Sequence, residues 1–355
     1  MASYQKINGK WRAYVQINGI RRSRYFRTKA EAVRWTQPLE ETIRTKGMIP
    51  SETKFAVLLD EYYHRVTFFK RGRPPEFRRI RALQKDPLLG KIELGDLTRS
   101  VLQAWVDKKV GSISRRTGRP LKSSSVSRYL TIIKAALKKA VEWEYLDKSP
   151  AEGVTCRVVE DHRERIATPE EIELLKQVAL WNEDEPPVTM SQRIVAAFIF
   201  ACYTGMRIGE IVMIERSWIK GDLLTIPREI TKTFHGRTVA LPDRAIKILN
   251  LVLKLRHRPQ IFGMKPQNHD ALWRKIRNMA GLHARYDSEG REVKESLNFH
   301  DSRATFCTWA ASPGPDGAPR LDVLSLARQT GHRNLRFLMH YYRRNPKEFL
   351  ERLNS

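Results

Sequence analysis

Cysteine is scarce in this chain: Cys156, Cys202 and Cys307 are the only three in 355 residues, and none has a partner at metal-binding spacing. That excludes a disulfide framework or a zinc knuckle and suits a reducing cytoplasm. Long apolar runs are also lacking. The longest, Ile194 to Tyr203, is about half of what a membrane helix needs. The first residues carry no signal-peptide pattern, so the expectation is a cytoplasmic protein without a membrane partner. Internal repeats and low-complexity tracts are missing. Above all, acid is short: 39 Asp and Glu against 65 Lys and Arg leave a net charge of +26 and a pI near 10.2. Such an excess predicts a polyanionic partner, most simply nucleic acid. A ribosome-like or membrane-surface protein would be basic too, but here the basic residues lie inside patterned segments rather than in a tail.

What is present is an ordinary globular content of apolar residues, 41%, on a chain long enough for about two or three domains. Residues 1–50 read as a β-rich unit. Asn8-Gly9 and Asn18-Gly19 are two-residue hairpin signals. Between them Trp11, Ala13, Val15 and Ile17 alternate with Arg12, Tyr14 and Gln16, giving one apolar and one polar, basic face. Thr28-Lys-Ala-Glu31 is a capping box for a helix, whose pattern Pro38 interrupts. With eleven basic against three acidic side chains, this unit suits groove contact with DNA through Arg12, Tyr14, Arg22 and Arg24.

Residues 53–150 turn helical. One helix opens at Phe55, a basic stretch with Pro74-Pro75 follows, and a second helix runs through Val101, Leu102 and Trp105. A third carries Val126, Leu130, Ile133, Leu137 and Val141 at three- and four-residue spacing. Lys122, Ser124, Ser125 and Arg128 cluster at its start, where a helix N-terminus can bind phosphate. Residues 151–165 are polar and irregular and read as a linker. Thr168-Pro-Glu-Glu171 then opens a last domain, 166–355, with an N-cap, a first-turn proline and a capping glutamate.

Six scattered residues of that last domain carry chemistry. Arg207 lies in Thr204-Gly-Met-Arg-Ile-Gly-Glu210. Lys232 lies in a Thr-Lys-Thr turn between two strand-like runs, with Arg237 close by. His300 and Arg303 stand at i and i+3. His332 follows Gly331, and Tyr341-Tyr342 lies nine residues on. Two guanidiniums, an ammonium, two imidazoles and a phenol suit a metal poorly, because hard metals want carboxylates and zinc wants thiolates or several imidazoles. They suit attack on a phosphodiester. Arginines clamp non-bridging oxygens, and a phenol can be the nucleophile.

In kind, order and spacing these residues resemble the catalytic set of the tyrosine recombinases, and the whole chain resembles a phage-type integrase. The resemblance implies a mainly α fold with small β elements (α+β). It comprises an N-terminal arm-type DNA-binding domain (three strands plus a helix), a helical core-binding domain and a mixed α/β catalytic domain. It implies that Arg207, Lys232, His300, Arg303, His332 and Tyr341 are catalytic, and the nine-residue spacing selects Tyr341 over Tyr342. Tyr341 would form a 3′-phosphotyrosyl bond and release a 5′-hydroxyl. Arg207 and Arg303 would stabilise the phosphoryl charge, Lys232 would protonate the leaving oxygen, and His300 would accept the phenol proton. Neither metal nor ATP is implied.

Attachment-site duplex DNA, four protomers on it, a host DNA-bending protein and an excision factor are the implied partners, in a bacterial cytoplasm and at the nucleoid. Inversion or resolution by the same chemistry, a type IB topoisomerase and a DNA-binding regulator with a dead site are the competing readings. The proline-rich Ser312–Arg320 stretch departs from the family pattern. Phe349–Leu353, apolar at helical spacing, is a candidate contact to a neighbouring protomer.

Overall fold

The computed structural model describes residues 2–17, 19–46, 50–70, 73–114, 118–158, 163, 165–231, 234–255, 259–289, 292–315 and 317–342. Contacts divide the chain into two compact units, Met1–Asp161 and His162–Ser355.

The first unit opens with an antiparallel sheet of β1 (Ala2–Ile7), β2 (Lys10–Ile17) and β3 (Ile20–Phe26), in that order. Ile17 pairs with Ile20, the register that an Asn-Gly hairpin signal requires. Ala13 and Val15 of β2 are fully buried under α1 (Lys29–Lys46), which supplies Ala32 and Ile43. The capping box closes as expected: the Glu31 amide donates to Thr28 Oγ1 at 3.2 Å and the Thr28 amide to Glu31 Oε2 at 3.3 Å. Pro38 does not end the helix, which runs on to Lys46. It forfeits one backbone bond, but Ala32 and Ile43 on either side of it anchor the helix to the sheet.

Among the described residues four α-helices follow in this unit: α2 (Phe55–Arg65), α3 (Arg73–Gln84), α4 (Arg99–Lys109) and α5 (Ser123–Glu142). Their core joins Leu58 and Leu59, Ile80 and Leu83, Leu102 and Trp105, and Ile133 and Leu137. α3 occupies the stretch that reads from sequence only as basic. Pro74 and Pro75 fall in its first turn, where amides have no intrahelical acceptor to lose, so the proline pair starts a helix instead of breaking one.

The second unit begins at α6 (Pro169–Ala179), capped by Thr168 and Glu171. The apolar run becomes α7 (Met190–Thr204), buried almost throughout and central to the core. Around it lie α8 (Ile208–Ile211), a sheet of β4 (Ile219–Lys220), β5 (Leu223–Ile226) and β6 (Arg237–Ala240), α9 (Asp243–Leu253) and α10 (His269–Met279). A small hairpin, β7 (Arg285–Tyr286) and β8 (Glu292–Lys294), precedes α11 (Asp301–Ala311), α12 (Val323–Thr330) and α13 (Arg336–Met339). Among the described residues, no helix is long and apolar enough to cross a membrane.

The segment read as a linker is tied down at its ends. Ala151 and Val154 are buried in the first unit's core. Arg163 grips Asp301 through Nε and Nη2, each at 2.7 Å, in the second. The Ser312–Arg320 stretch is a tight loop in which Pro313 bridges Pro319 and the Gly314 amide donates to the Ala318 carbonyl at 2.6 Å. Arg320 lies over the Trp309 ring at 5.1 Å.

Candidate active site

Arg207 is placed by a turn that only glycine fits. α7 ends at Gly205, whose φ is +65°. A Cβ there would stand 2.5 Å from Phe306 and 2.8 Å from Thr330, so a side chain meets both strain and a clash. The chain then re-enters α8 with Arg207 at its N-cap, where the Arg207 amide donates to Glu210 Oε2 at 3.1 Å. Nη1 reaches Glu210 Oε1 at 3.3 Å and Nη2 the Gly331 carbonyl at 3.4 Å. Arg207 thus bridges its own helix start and the turn that carries His332.

That turn repeats the device. Gly331 caps α12 at φ +69°, and a Cβ would lie 3.0 Å from the Arg237 guanidinium. Thr330 Oγ1 donates to the Leu326 carbonyl at 2.6 Å, so its only proton is committed. Its 2.8 Å contact with His332 Nδ1 therefore has the imidazole as donor. This fixes the tautomer and leaves the Nε2 lone pair as the acceptor for Arg303.

Arg303, from α11, is 3% exposed. Nη1 donates to the Gly205 carbonyl at 2.6 Å, and Nη2 lies 3.1 Å from His332 Nε2 and 3.2 Å from Nδ1. Nε is buried without a partner among the described residues, and no carboxylate accepts from this guanidinium. Burial first, then repulsion from Arg207, pushes its pKa down to about 9, which still leaves it charged at neutral pH. Burial, then Arg303 and Arg207, drives His332 down to about 3. His300 caps the start of α11 with its side chain exposed. Partial desolvation, then Arg303 and Arg207, holds its imidazole below the ordinary histidine value and so neutral at neutral pH. Asp301 and Ser302 look inward: Asp301 takes Arg163 and the Asn298 amide, and Ser302 bonds the Phe299 carbonyl at 2.6 Å.

Two further side chains organise the rest: Arg237, which the sequence marks only as a neighbour of Lys232, and Gln329, which it does not mark. Arg237 at the start of β6 forks onto Glu210 at 2.9 and 2.7 Å and donates to the Gln329 carbonyl at 3.1 Å. Burial would raise the Glu210 carboxyl, but the Arg237 fork and Arg207 together hold it below the usual range. Gln329 acts as a surrogate strand on β6, accepting from the Ala240 amide at 3.0 Å and donating to its carbonyl at 2.9 Å. Glu210 sits where a helix-capping Arg-x-x-Glu spacing would place it, which is the one local signal for its role. Its partner lies 27 residues away and has none.

A cleft of about 600 Å³ opens here, lined by Arg207, Arg237 and His332, with Thr231 and His235 from the β5–β6 loop. Lys232 lies outside the described residues, and so does Phe349–Leu353. Tyr341, in the short helical turn His340–Tyr342 after α13, is half-buried against the cluster of Phe306, Leu326 and Leu338. Tyr342 packs there too, and its hydroxyl donates to the Leu321 carbonyl at 2.8 Å. The structure therefore brings Arg303 and His332 into direct contact and ties Arg207 to the Thr330–Gly331 turn beside them, with His300 at the head of the same helix as Arg303.

The candidate DNA contacts of the first unit do not share one surface. Ala13 pairs with Arg24 and Val15 with Arg22, which puts Arg22 and Arg24 on the face covered by α1. Arg12 pairs with Tyr25 and Tyr14 with Ser23, on the opposite, open face. Arg22 forms an ion pair with Glu52, and Arg24 lies over Phe26 at 5.7 Å. Arg12 lies 5.9 Å from the Tyr25 ring centre, and Tyr14 bonds Gln16 at 2.7 Å. On α5, Ser124 and Arg128 are one turn apart on one face, with Lys122 at the N-cap.

Comparison with known proteins gives a consistent result. The sequence model described as the phage integrase family matches residues 168–348. A Haemophilus influenzae protein classed as an integrase/recombinase is 30% identical over 348 residues, covering 96% of this chain and 87% of the relative. The Tn1549 transposon integrase, solved with a circular intermediate DNA, superposes with a TM-score of 0.62 at 17% identity, over 84% of this chain and 99% of that one. A lambda integrase tetramer bound to a Holliday junction does so with a TM-score of 0.60 at 15% identity, over 93% and 95%.

Proposed function

The chain belongs to the phage integrase family and is a site-specific DNA recombinase, and we propose that its strand cleavage runs through Tyr341 in a cradle made by Arg207, Arg303 and His332. One observation carries this reading: Arg303 is almost fully buried, charged, and hydrogen-bonded to no carboxylate. An unpaired buried guanidinium is costly, and the cost falls when an anion arrives. A scissile phosphate seated between Arg303 and Arg207 supplies that anion and takes donors from both.

Tyr341 Oη attacks phosphorus and forms a 3′-phosphotyrosyl bond as the bond to the 5′-oxygen breaks. The phenol proton passes to His300, which desolvation and then the neighbouring Arg303 and Arg207 keep neutral and so able to accept it. Lys232 gives a proton to the leaving 5′-oxygen. A 5′-hydroxyl of the partner duplex then attacks the phosphotyrosine, restores the backbone and returns the phenol. The tyrosyl ester conserves the energy of the broken bond, so the step requires no ATP. The choice of Tyr341 rests on its nine-residue spacing from His332; Tyr342 donates its hydroxyl to the Leu321 carbonyl.

Two duplexes exchanging two pairs of strands call for four protomers, the arrangement in which lambda integrase was solved on its junction. Arg12 and Tyr14 on the open sheet face, and Lys122, Ser124 and Arg128 at the start of α5, are the proposed contacts to the attachment-site duplex. The reaction takes place on chromosomal DNA in the bacterial cytoplasm. A host DNA-bending protein and an excision factor are its proposed accessories.

The test is covalent capture on nicked duplexes drawn from DNA flanking the gene, with EDTA and no ATP, followed by peptide mapping. A DNA adduct on Tyr341 is expected, and Tyr341→Phe should keep DNA binding and lose the adduct. An adduct on Tyr342 would correct the nucleophile. Tight binding to cleavable DNA with no adduct at all would sink the mechanism.

A further inference from the structure

At the far end of α7 from Arg207 lies a second cavity, of about 690 Å³. The fifteen residues of that helix span roughly 22 Å at 1.5 Å per residue, so the cavity stands well apart from the catalytic cleft. Its size falls within the usual range for small-molecule sites. Its walls are mixed. Met264 and Leu272 give an apolar surface; Arg193, Lys265 and Lys275 are cationic; no aspartate or glutamate lines it.

Arg193 is the unusual member. It is 5% exposed, and its Nε donates to the Pro187 carbonyl at 3.2 Å. Among the described residues its two terminal nitrogens have no partner, although the side chain lines the cavity. Burial lowers its pKa, with no carboxylate offsetting the effect. His269, at the start of α10, also lines the cavity; its Nε2 lies 3.4 Å from Asp270 Oδ1, and its buried Nδ1 has no partner among the described residues. A core arginine with a structural role ordinarily finds a carboxylate or several carbonyls. Here one carbonyl is met, and the remaining donors open onto an apolar-walled cavity with two further cations at its rim.

We propose that this cavity binds a small amphipathic anion, a carboxylate or phosphate monoester carried on an apolar body, with its acidic group on Arg193 and its body against Met264 and Leu272. A bare inorganic anion would leave the apolar walls wet, and a neutral apolar molecule would leave Arg193 unpaired. The proposal stands independently of the recombinase reading, because no residue of the catalytic cleft takes part.

The experiment uses full-length protein carrying 13C-methyl methionine, with the Met264 resonance assigned through Met264→Leu. The probes are 4-phenylbutyrate and its neutral amide. A saturable shift of Met264 with the carboxylate, and none or at least about tenfold weaker binding with the amide, is expected from the loss of a charge-assisted hydrogen bond. Arg193→Leu should weaken the carboxylate by a similar factor. Should that variant fail to fold, Lys265→Ala and Lys275→Ala, both at exposed positions, should each weaken it measurably. Equal binding of amide and carboxylate, or no shift of Met264, would overturn the proposal. Met264 shifts produced by duplex DNA but not by the carboxylate would also overturn it, making Arg193 a DNA-phosphate contact.

Discussion

His332 shows how much one ring can report. Its tautomer follows from Thr330, whose proton goes to Leu326, and its low pKa follows from burial and two guanidiniums. The folded value, about 3, lies below that of an unfolded histidine, near 6.5. Between those two values the unfolded chain binds a proton that the folded chain refuses. The stability linked to this group is therefore whole above pH 6.5 and is lost as pH falls toward 3. In a histidine-selective NMR titration of the free protein, the ring should stay neutral far below pH 6. A phosphate between the arginines cancels the repulsion, so binding a cleavage-resistant duplex should raise the value. A His332 that titrates near 6.5 without DNA would contradict this account of the cradle.

At the scale of elements, the site is a junction of four. α7 delivers Arg207 through Gly205, α11 delivers Arg303, α12 delivers His332 through Gly331, and β6 delivers Arg237. Glu210 holds α8, β6 and, through Arg207, the α12 turn together. Glu210→Gln leaves Arg237 buried beside a neutral amide, and breaking a buried pair on one side costs about 3 kcal/mol or more. Urea unfolding should show a loss of that order. Adduct formation should fall further than DNA affinity, because Arg207 loses its brace while the contacts proposed for Arg12, Tyr14 and the start of α5 are untouched. An unchanged unfolding midpoint would mean that Glu210 organises nothing.

At the scale of the molecule, a net charge of +26 makes phosphate neutralisation the main source of affinity. If about eight phosphates are contacted, affinity for duplex should fall by roughly ten-thousandfold between 50 and 200 mM salt. The charges are not equivalent, however. Arg12 stands on the open sheet face, whereas Arg22 is spent on Glu52 beside α1. Arg12→Ala should lower the slope of log affinity against log salt by about one, and Arg22→Ala should leave it in place. The reverse order, measured by fluorescence anisotropy over a salt series, would mean that the helix-covered face carries the DNA.

The sequence by itself determined the chemistry and most of the local structure, because both are written in neighbouring residues. Thr28 and Thr168 announce their caps, Gly205 and Gly331 announce turns no other residue fits, and residues 168–348 carry the spaced arginines, imidazoles and phenols of one family. Individual helices and strands followed from apolar periodicity and the fold class from the family resemblance, with α3 missed because its stretch reads only as basic until the place of the proline pair in the first turn is known. Strand register was within reach but went unused: a two-residue turn pairing Ile17 with Ile20 already forces Ala13 opposite Arg24, and hence Arg24 away from Arg12. Only the tertiary structure decided that Glu210 belongs to Arg237, that Arg303 is a buried cation without a carboxylate, and that Arg193 opens into a cavity. Those facts depend on which atoms, far apart in the chain, exclude water from one another, and no local pattern encodes that.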